Sequence, residues 1–275
     1  MTVNGLGTRF TWPTLSLHEG EGDARSLPEL IDFHARVNPR RRFCIQAQKD
    51  ADIPLLDVTY AQLKHAILCC QSWLCKNVAE IQMVENGTKD RPVGLVMDSD
   101  LTLVIYLFAL MGLGVPTVLL STRLSADAVR HLVQKTRTSA ILVSARLDGT
   151  AAEALSSWDV NDSPPPSKYY PAAYKNFLTE EASSSSTAFS PSNVSRKNHL
   201  VSESDCNVLI LHSSGTTGLP KPIYTSHRHY LSFALCHEFK NEEEMLSPAL
   251  STSPLFHVGS PPQILSLYID EKATD

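Results

Sequence analysis

The 275 residues suffice for one large domain or two smaller ones, and 43% hydrophobic with 19% charged residues is an ordinary globular composition. A net charge of −5 and a pI near 6.1 imply no basic face, which argues against nucleic acid as a partner. The six cysteines show no paired C-x-x-C spacing, so reduced thiols in an intracellular, cytoplasmic protein are expected rather than a disulfide framework or a zinc site.

The N-terminal residues lack a basic segment followed by an apolar one, so no signal peptide is expected. Ser26-Leu-Pro-Glu29 predicts a helix start, with Ser26 as N-cap and the helix running to Val37 before Asn38-Pro39. Phe43 to Gln48 and Leu55 to Val58 predict two short strands. Thr59 then caps a long helix, Tyr60 to Lys76, with Leu63, Ile67, Cys70 and Leu74 on one buried face.

A strand–helix alternation follows. Val93 to Met97 predicts a strand, and Asp98-Ser-Asp100 caps the next helix. Leu101 to Thr122 carries no charge and, taken alone, is long enough to span a bilayer. Gly112, Gly114 and Pro116 interrupt it, so the favoured reading is a buried helix to Met111, a tight turn, and a buried strand from Val115 to Leu120. No stable membrane span is expected. Ser125 caps a helix from Ala126 to Thr136, and Ala140 to Ser144 is the third strand. The alternation implies an α/β fold with a mostly parallel sheet.

From 161 to 205 the composition turns to Pro, Ser, Asn and Lys, which predicts a flexible insertion. The expected organisation is therefore 1–160 as a first part built of βα units, 161–205 as insertion, and 206–275 as a return to the same domain. Val208 to Leu211 predicts a strand, Ile223 to Thr225 another, and Ser226 caps a helix through Tyr230, Phe233 and Leu235.

Between those last two strands lies the segment that carries chemistry. Ile210 to Lys221 reads I-L-H-S-S-G-T-T-G-L-P-K. Ser, Thr and Gly in succession can aim hydroxyls and backbone N–H groups at one anion, and Lys221 adds a mobile positive charge. The spacing is not G-x-x-x-x-G-K-[ST]. Read without context, a short Gly/Ser/Thr segment is simply a polar loop between strands. Over its whole length, however, this one resembles the phosphate-loop signature of the adenylate-forming superfamily, which includes acyl-CoA synthetases, luciferases and the adenylation domains of non-ribosomal peptide synthetases.

Three further segments are similar to that family's core motifs, in the family's order. They are Val58-Thr-Tyr-Ala-Gln-Leu63, with Gln62 at a position that usually holds an acid; Leu107 to Val118 with Arg123-Leu-Ser125; and Ser253-Pro-Leu-Phe-His-Val-Gly259. Helix start and core packing account for the first two without further function. The family's later G-Y-G-x-T-E-like and T-G-D-like segments, its hinge and its C-terminal domain are not found in this sequence. The resemblance thus implies the N-terminal portion of an acyl-CoA synthetase-like fold, with the C-terminal domain absent.

By that resemblance, Ser213, Ser214, Gly215, Thr216, Thr217 and Gly218 would cradle the phosphates of ATP with Lys221, and Mg²⁺ would bridge phosphate oxygens. His257 would lie beside the acyl pocket. The implied reaction activates a small carboxylic acid, in secondary, fatty or aryl acid metabolism, and passes the acyl group to coenzyme A or a phosphopantetheine arm. His212, His227 and His229 receive no role, and a metal site at the latter pair lacks a Cys or acid at ligand spacing. The alternatives are an inactive remnant of such an enzyme, a fragment of a synthetase or carboxylate reductase adenylation domain, and a membrane-anchored protein using Leu101 to Leu120.

Overall fold

The computed structural model describes Pro13 and residues 24–47, 54–82, 91–158, 164–178, 207–213 and 218–235. Helix α1 (Leu27–Val37) begins as predicted: Ser26 Oγ accepts the Glu29 N–H at 3.3 Å, with proline in the first turn. Strands β1 (Arg42–Gln46) and β2 (Leu56–Thr59) form a separate antiparallel pair. They lead into α2 (Tyr60–Asn77) and the short α3 (Ala79–Gln82). An ion pair between Asp32 and Lys64 joins α1 to α2.

The main sheet is built from β3 (Val93–Val96), β4 (Thr117–Leu119), β5 (Ala140–Val143), β6 (Ser167–Tyr169), β7 (Asn207–His212) and β8 (Pro222–Ser226). Its spatial order is β6-β5-β3-β4-β7-β8. All neighbours are parallel except β8, which runs antiparallel to β7. Every residue of β3, β4 and β5 is buried, because helices cover both faces. This is why their sequences run apolar rather than alternating.

Helices α1, α2 and α4 (Leu101–Gly112) pack one face together with Leu95, Leu119, Leu142, Leu209 and Leu211. Helices α5 (Ala126–Thr136) and α6 (Asp148–Ser156) pack the other with Val96, Val118, Ile141, Val143 and Ile210. The period of two along each strand divides its side chains between these two cores.

The apolar run 101–122 resolves as predicted into helix, turn and strand. Asp100 Oδ1 accepts the Thr102 N–H at 2.8 Å at the start of α4. At its end, Gly114 takes a positive φ of 71°, its N–H donates to Met111 O, and the Val115 N–H donates to Leu110 O. These are the two bonds of a Schellman cap, in which glycine meets no Cβ penalty. No helix among the described residues is long and apolar enough to cross a membrane.

Within the expected insertion 161–205, residues 164–178 carry regular structure. Ser167–Tyr169 pairs with β5 from Ala140↔Ser167 to Leu142↔Tyr169, and α7 (Lys175–Leu178) follows, burying Phe177. The polar composition belongs to an edge strand with one neighbour. Residues 179–205 lie outside the described residues.

Cys44, Cys69, Cys70 and Cys75 are unbridged. Burial, with the Asp57 charge as a smaller cause, pushes the Cys44 thiol up to about 12, and burial raises Cys69 and Cys70 as well. Such thiols hold little thiolate and are poor nucleophiles.

Candidate functional site

The sheet's topology places the candidate loop. From β3 the chain crosses by α4 to β4 on one side, and from β4 it returns by α5 to β5 on the other. Parallel strands bring the carboxyl ends of β3, β4, β5 and β7 to one edge, where open α/β sheets bind ligands. The segment between β7 and β8 emerges at that edge.

Strand β7 is held on both sides. It pairs with β4 through Thr117↔Leu209 and Val118↔Ile210, and with β8 from Leu209↔Thr225 to His212↔Pro222. Leu209, Ile210 and Leu211 are fully buried. A buried two-sided strand ending in a polar loop therefore supplies a rigid mount for it.

The loop closes on itself at its base. Ser213 N–H donates to Lys221 O at 3.0 Å, and Lys221 N–H donates to Ser213 Oγ at 2.9 Å. Two of the predicted site residues, Ser213 and Lys221, are thus brought together. The Ser213 N–H is consumed by closure and its Oγ already accepts a bond, so what Ser213 has left for a ligand is its hydroxyl proton. The Lys221 backbone is fixed on both its N–H and its carbonyl while the residue is exposed.

Gly218 has a φ of 154°, where L-residues rarely sit, and a Cβ built there would meet nothing within 4 Å. Backbone conformation, not crowding, is what calls for glycine at this point. Pro220 is buried and Leu219 exposed. Ser214, Gly215, Thr216, Thr217 and His257 lie outside the described residues.

A residue without a role in the sequence reading, His212, stands at the start of this loop. The Nε2 atom of His212 is 3.1 Å from the backbone N of Ser121, in the turn after β4, and Nδ1 is 3.0 Å from Ser213 O. The acidic residues at the same edge are engaged elsewhere: Asp98 pairs with Arg146, and Asp100 caps α4.

The other two histidines separate. His227 is buried, and its Nδ1 accepts the Leu27 N–H at 3.3 Å. Burial lowers its pKa to about 4. His229 is exposed, and its N–H donates to the Ser226 hydroxyl that caps α8 (His227–Leu235). Among the described residues, no three His, Cys, Asp or Glu side chains gather to hold a metal ion.

Comparison with known proteins agrees with this architecture. The AMP-binding enzyme family matches residues 34–269. An adenylate-forming reductase of Aspergillus terreus is 39% identical over 241 residues, covering 85% of this chain and 22% of that protein. The non-canonical non-ribosomal peptide synthetase ascB of Acremonium egyptiacum is 39% identical over 239 residues, covering 86% of this chain and 21% of that protein. The chain thus spans about a fifth of the length of these curated relatives.

Among solved structures, the inhibitor-bound N-terminal domain of FACL13 from Mycobacterium tuberculosis superposes with a TM-score of 0.58 at 18% identity, over 90% of this chain and 56% of that one. The Klebsiella oxytoca NpsA N-terminal subdomain, in complex with 3-hydroxybenzoyl-AMSN, gives a TM-score of 0.58 at 16% identity, over 89% of this chain and 52% of that one. The fold is therefore the N-terminal portion of the acyl-CoA synthetase-like architecture. By sequence match and by fold, the chain belongs to the AMP-binding enzyme family of adenylate-forming proteins.

Proposed function

We propose that residues 213–221 bind the β- and γ-phosphates of ATP, and that the chain serves the activation of a small carboxylic acid as its acyl-adenylate. One observation carries the reading. A loop of glycine and hydroxyl residues, closed at its base by Ser213 and Lys221, stands at the carboxyl edge of a parallel sheet with Lys221 exposed beside it.

In this reading a carboxylate oxygen attacks the α-phosphorus. The bond to the bridging oxygen breaks, and pyrophosphate leaves with that bond's electron pair. A thiol sulfur then attacks the acyl carbon, its proton passes to solvent, and AMP leaves. The contribution of this chain is to hold the leaving pyrophosphate in line and to meet its charge. Lys221 supplies a full positive charge, Ser213 an O–H donor, and residues 214–218 hydroxyls and backbone N–H groups.

A magnesium ion, where bound, would neutralise phosphate charge. For the thiol, kinship with an adenylate-forming reductase and a non-ribosomal peptide synthetase favours a phosphopantetheine arm over free coenzyme A.

Calorimetric titration of the 275-residue chain with ATP tests the proposal. The chain is expected to bind ATP in competition with pyrophosphate, and Lys221→Ala to weaken binding by about tenfold or more, the scale of one charge-assisted contact. Equal affinities in parent and variant would overturn the assignment.

A further inference from the structure

The His212 ring lies between two strand ends, and each nitrogen has one kind of partner. Ser213 O can only accept, so Nδ1 at 3.0 Å carries the proton. The Ser121 N–H can only donate, so Nε2 at 3.1 Å carries the lone pair. Both contacts demand the same neutral tautomer, and a single ring satisfies them together.

Each end of this bridge is fixed. In the turn after β4, Ser121 Oγ accepts the Arg123 N–H and Ser121 O accepts the Leu124 N–H, both at 3.2 Å. Strand β4 itself is held between β3 and β7. At the other end, the peptide that His212 grips is the first of the loop. The Ser213 carbonyl is bound by His212, and its N–H and hydroxyl are bound by the Lys221 backbone. A continuous line of hydrogen bonds therefore runs from Ser121 through the imidazole and Ser213 to Lys221.

We infer that His212 is a positioning residue for the phosphate loop: it fixes the loop's entry and closure against β4 and thereby sets where Lys221 stands. The inference rests on the reading of 213–221 as a phosphate loop. A ring that merely filled space would be replaceable by phenylalanine. A ring that positions would not, because catalysis by charge placement loses force when the charged group is free to wander.

The test compares His212→Phe, which keeps the ring and loses both nitrogens, with His212→Gln, which restores an acceptor and a donor. Amide hydrogen exchange at Ser121, Ser213 and Lys221 is followed by NMR in the 275-residue chain, with ATP affinity measured in parallel. Leu95 and Leu142 amides in mid-sheet serve as the control for global folding. For His212→Phe the expected result is exchange at Ser121 and Lys221 faster by about tenfold, with ATP affinity reduced by a similar factor and mid-sheet amides unchanged. His212→Gln should recover part of both.

Unchanged exchange at Ser121 and Lys221 in a folded His212→Phe would overturn the inference. So would parental ATP affinity in that variant while Lys221→Ala binds weakly, a result that leaves the phosphate-loop reading intact. If the parent binds no ATP, that reading falls, and the exchange rates still decide whether His212 governs loop closure. Should His212→Phe lose its mid-sheet protection, His212→Gln is compared with His212→Asn, whose shorter side chain cannot reach the Ser121 N–H. Equal Ser121 protection in those two would also overturn the inference.

Discussion

The Leu27 N–H donates to His227 Nδ1 at 3.3 Å, joining the first turn of α1 to the first turn of α8 across 200 residues of sequence. Leu27 opens its helix, so its N–H is one of the donors a helix start leaves without an intrahelical partner. The imidazole satisfies it only while Nδ1 is unprotonated. Protonation would set one donor against another in a buried site.

This contact predicts a pH dependence of stability. Burial holds His227 at about 4 in the folded chain, against about 6.5 when unfolded. Above pH 6.5 both states are neutral and the group contributes no slope. Between pH 6.5 and 4 only the unfolded chain takes up the proton, so folding stability falls as pH falls. The total loss is about 3 kcal/mol, at most about 1.4 kcal/mol per pH unit. Below pH 4 this group adds no further loss. His227→Asn offers an acceptor that does not titrate, and urea midpoints measured from pH 7.5 to 4 should show a flatter acid limb. A parental slope in that variant would contradict the assignment.

A second prediction concerns the start of α2. Thr59 Oγ1 accepts the Gln62 N–H at 3.3 Å, and Gln62 Oε1 accepts the Thr59 N–H at 2.9 Å. This reciprocal box explains how Gln62 serves the helix start, since its amide oxygen reaches the Thr59 N–H as a carboxylate would. Thr59→Ala should cost about 1 kcal/mol in urea unfolding. Gln62→Glu should stay within about 0.5 kcal/mol of the parent, because it keeps the acceptor. An unchanged midpoint for Thr59→Ala would show that the cap contributes nothing.

Both contacts bear on what a sequence can disclose. Thr59, Ser26, Asp100 and Ser125 mark their helix starts locally, because a cap bonds its partner within two or three residues. The buried strands β3, β4 and β5 are legible because cover on both faces leaves one continuous apolar run each. The proposed phosphate loop stands out in the sequence because its Ser, Thr, Gly and Lys residues are contiguous. By contrast, β6 reads as Ser-Lys-Tyr after three prolines, and only pairing with β5 makes it a strand. Helix α6 opens Asp-Gly-Thr, poor helix formers, and is held by Ala151 and Ala154 against the sheet. The role of His212 depends on Ser121, 91 residues away, and a separation of that size leaves no local signal.

The same reasoning yields a prediction for segment 164–178, whose composition suggests mobility and whose contacts do not. Tyr106 Oη accepts the Ala172 N–H at 2.9 Å and lies 3.3 Å from Ala172 O, to which it donates. Its ring meets Trp73 of α2 and Phe177 of α7 edge-on, at 5.7 and 5.8 Å between centroids. Burial raises the phenol pKa well above its ordinary value, so the donor proton is retained. Tyr106→Phe keeps the aromatic column and strips two bonds from one half-buried residue, Ala172. The expected cost is about 1–3 kcal/mol, and limited proteolysis should cut within 164–178 sooner than in the parent. Tyr169, whose hydroxyl donates to Glu80 Oε2 at 2.9 Å, anchors the same segment independently, so the loss should be local and the mid-sheet amides should stay protected. Parental stability and an unchanged cleavage pattern would mean that the aromatic packing alone retains the segment and that the hydroxyl is dispensable.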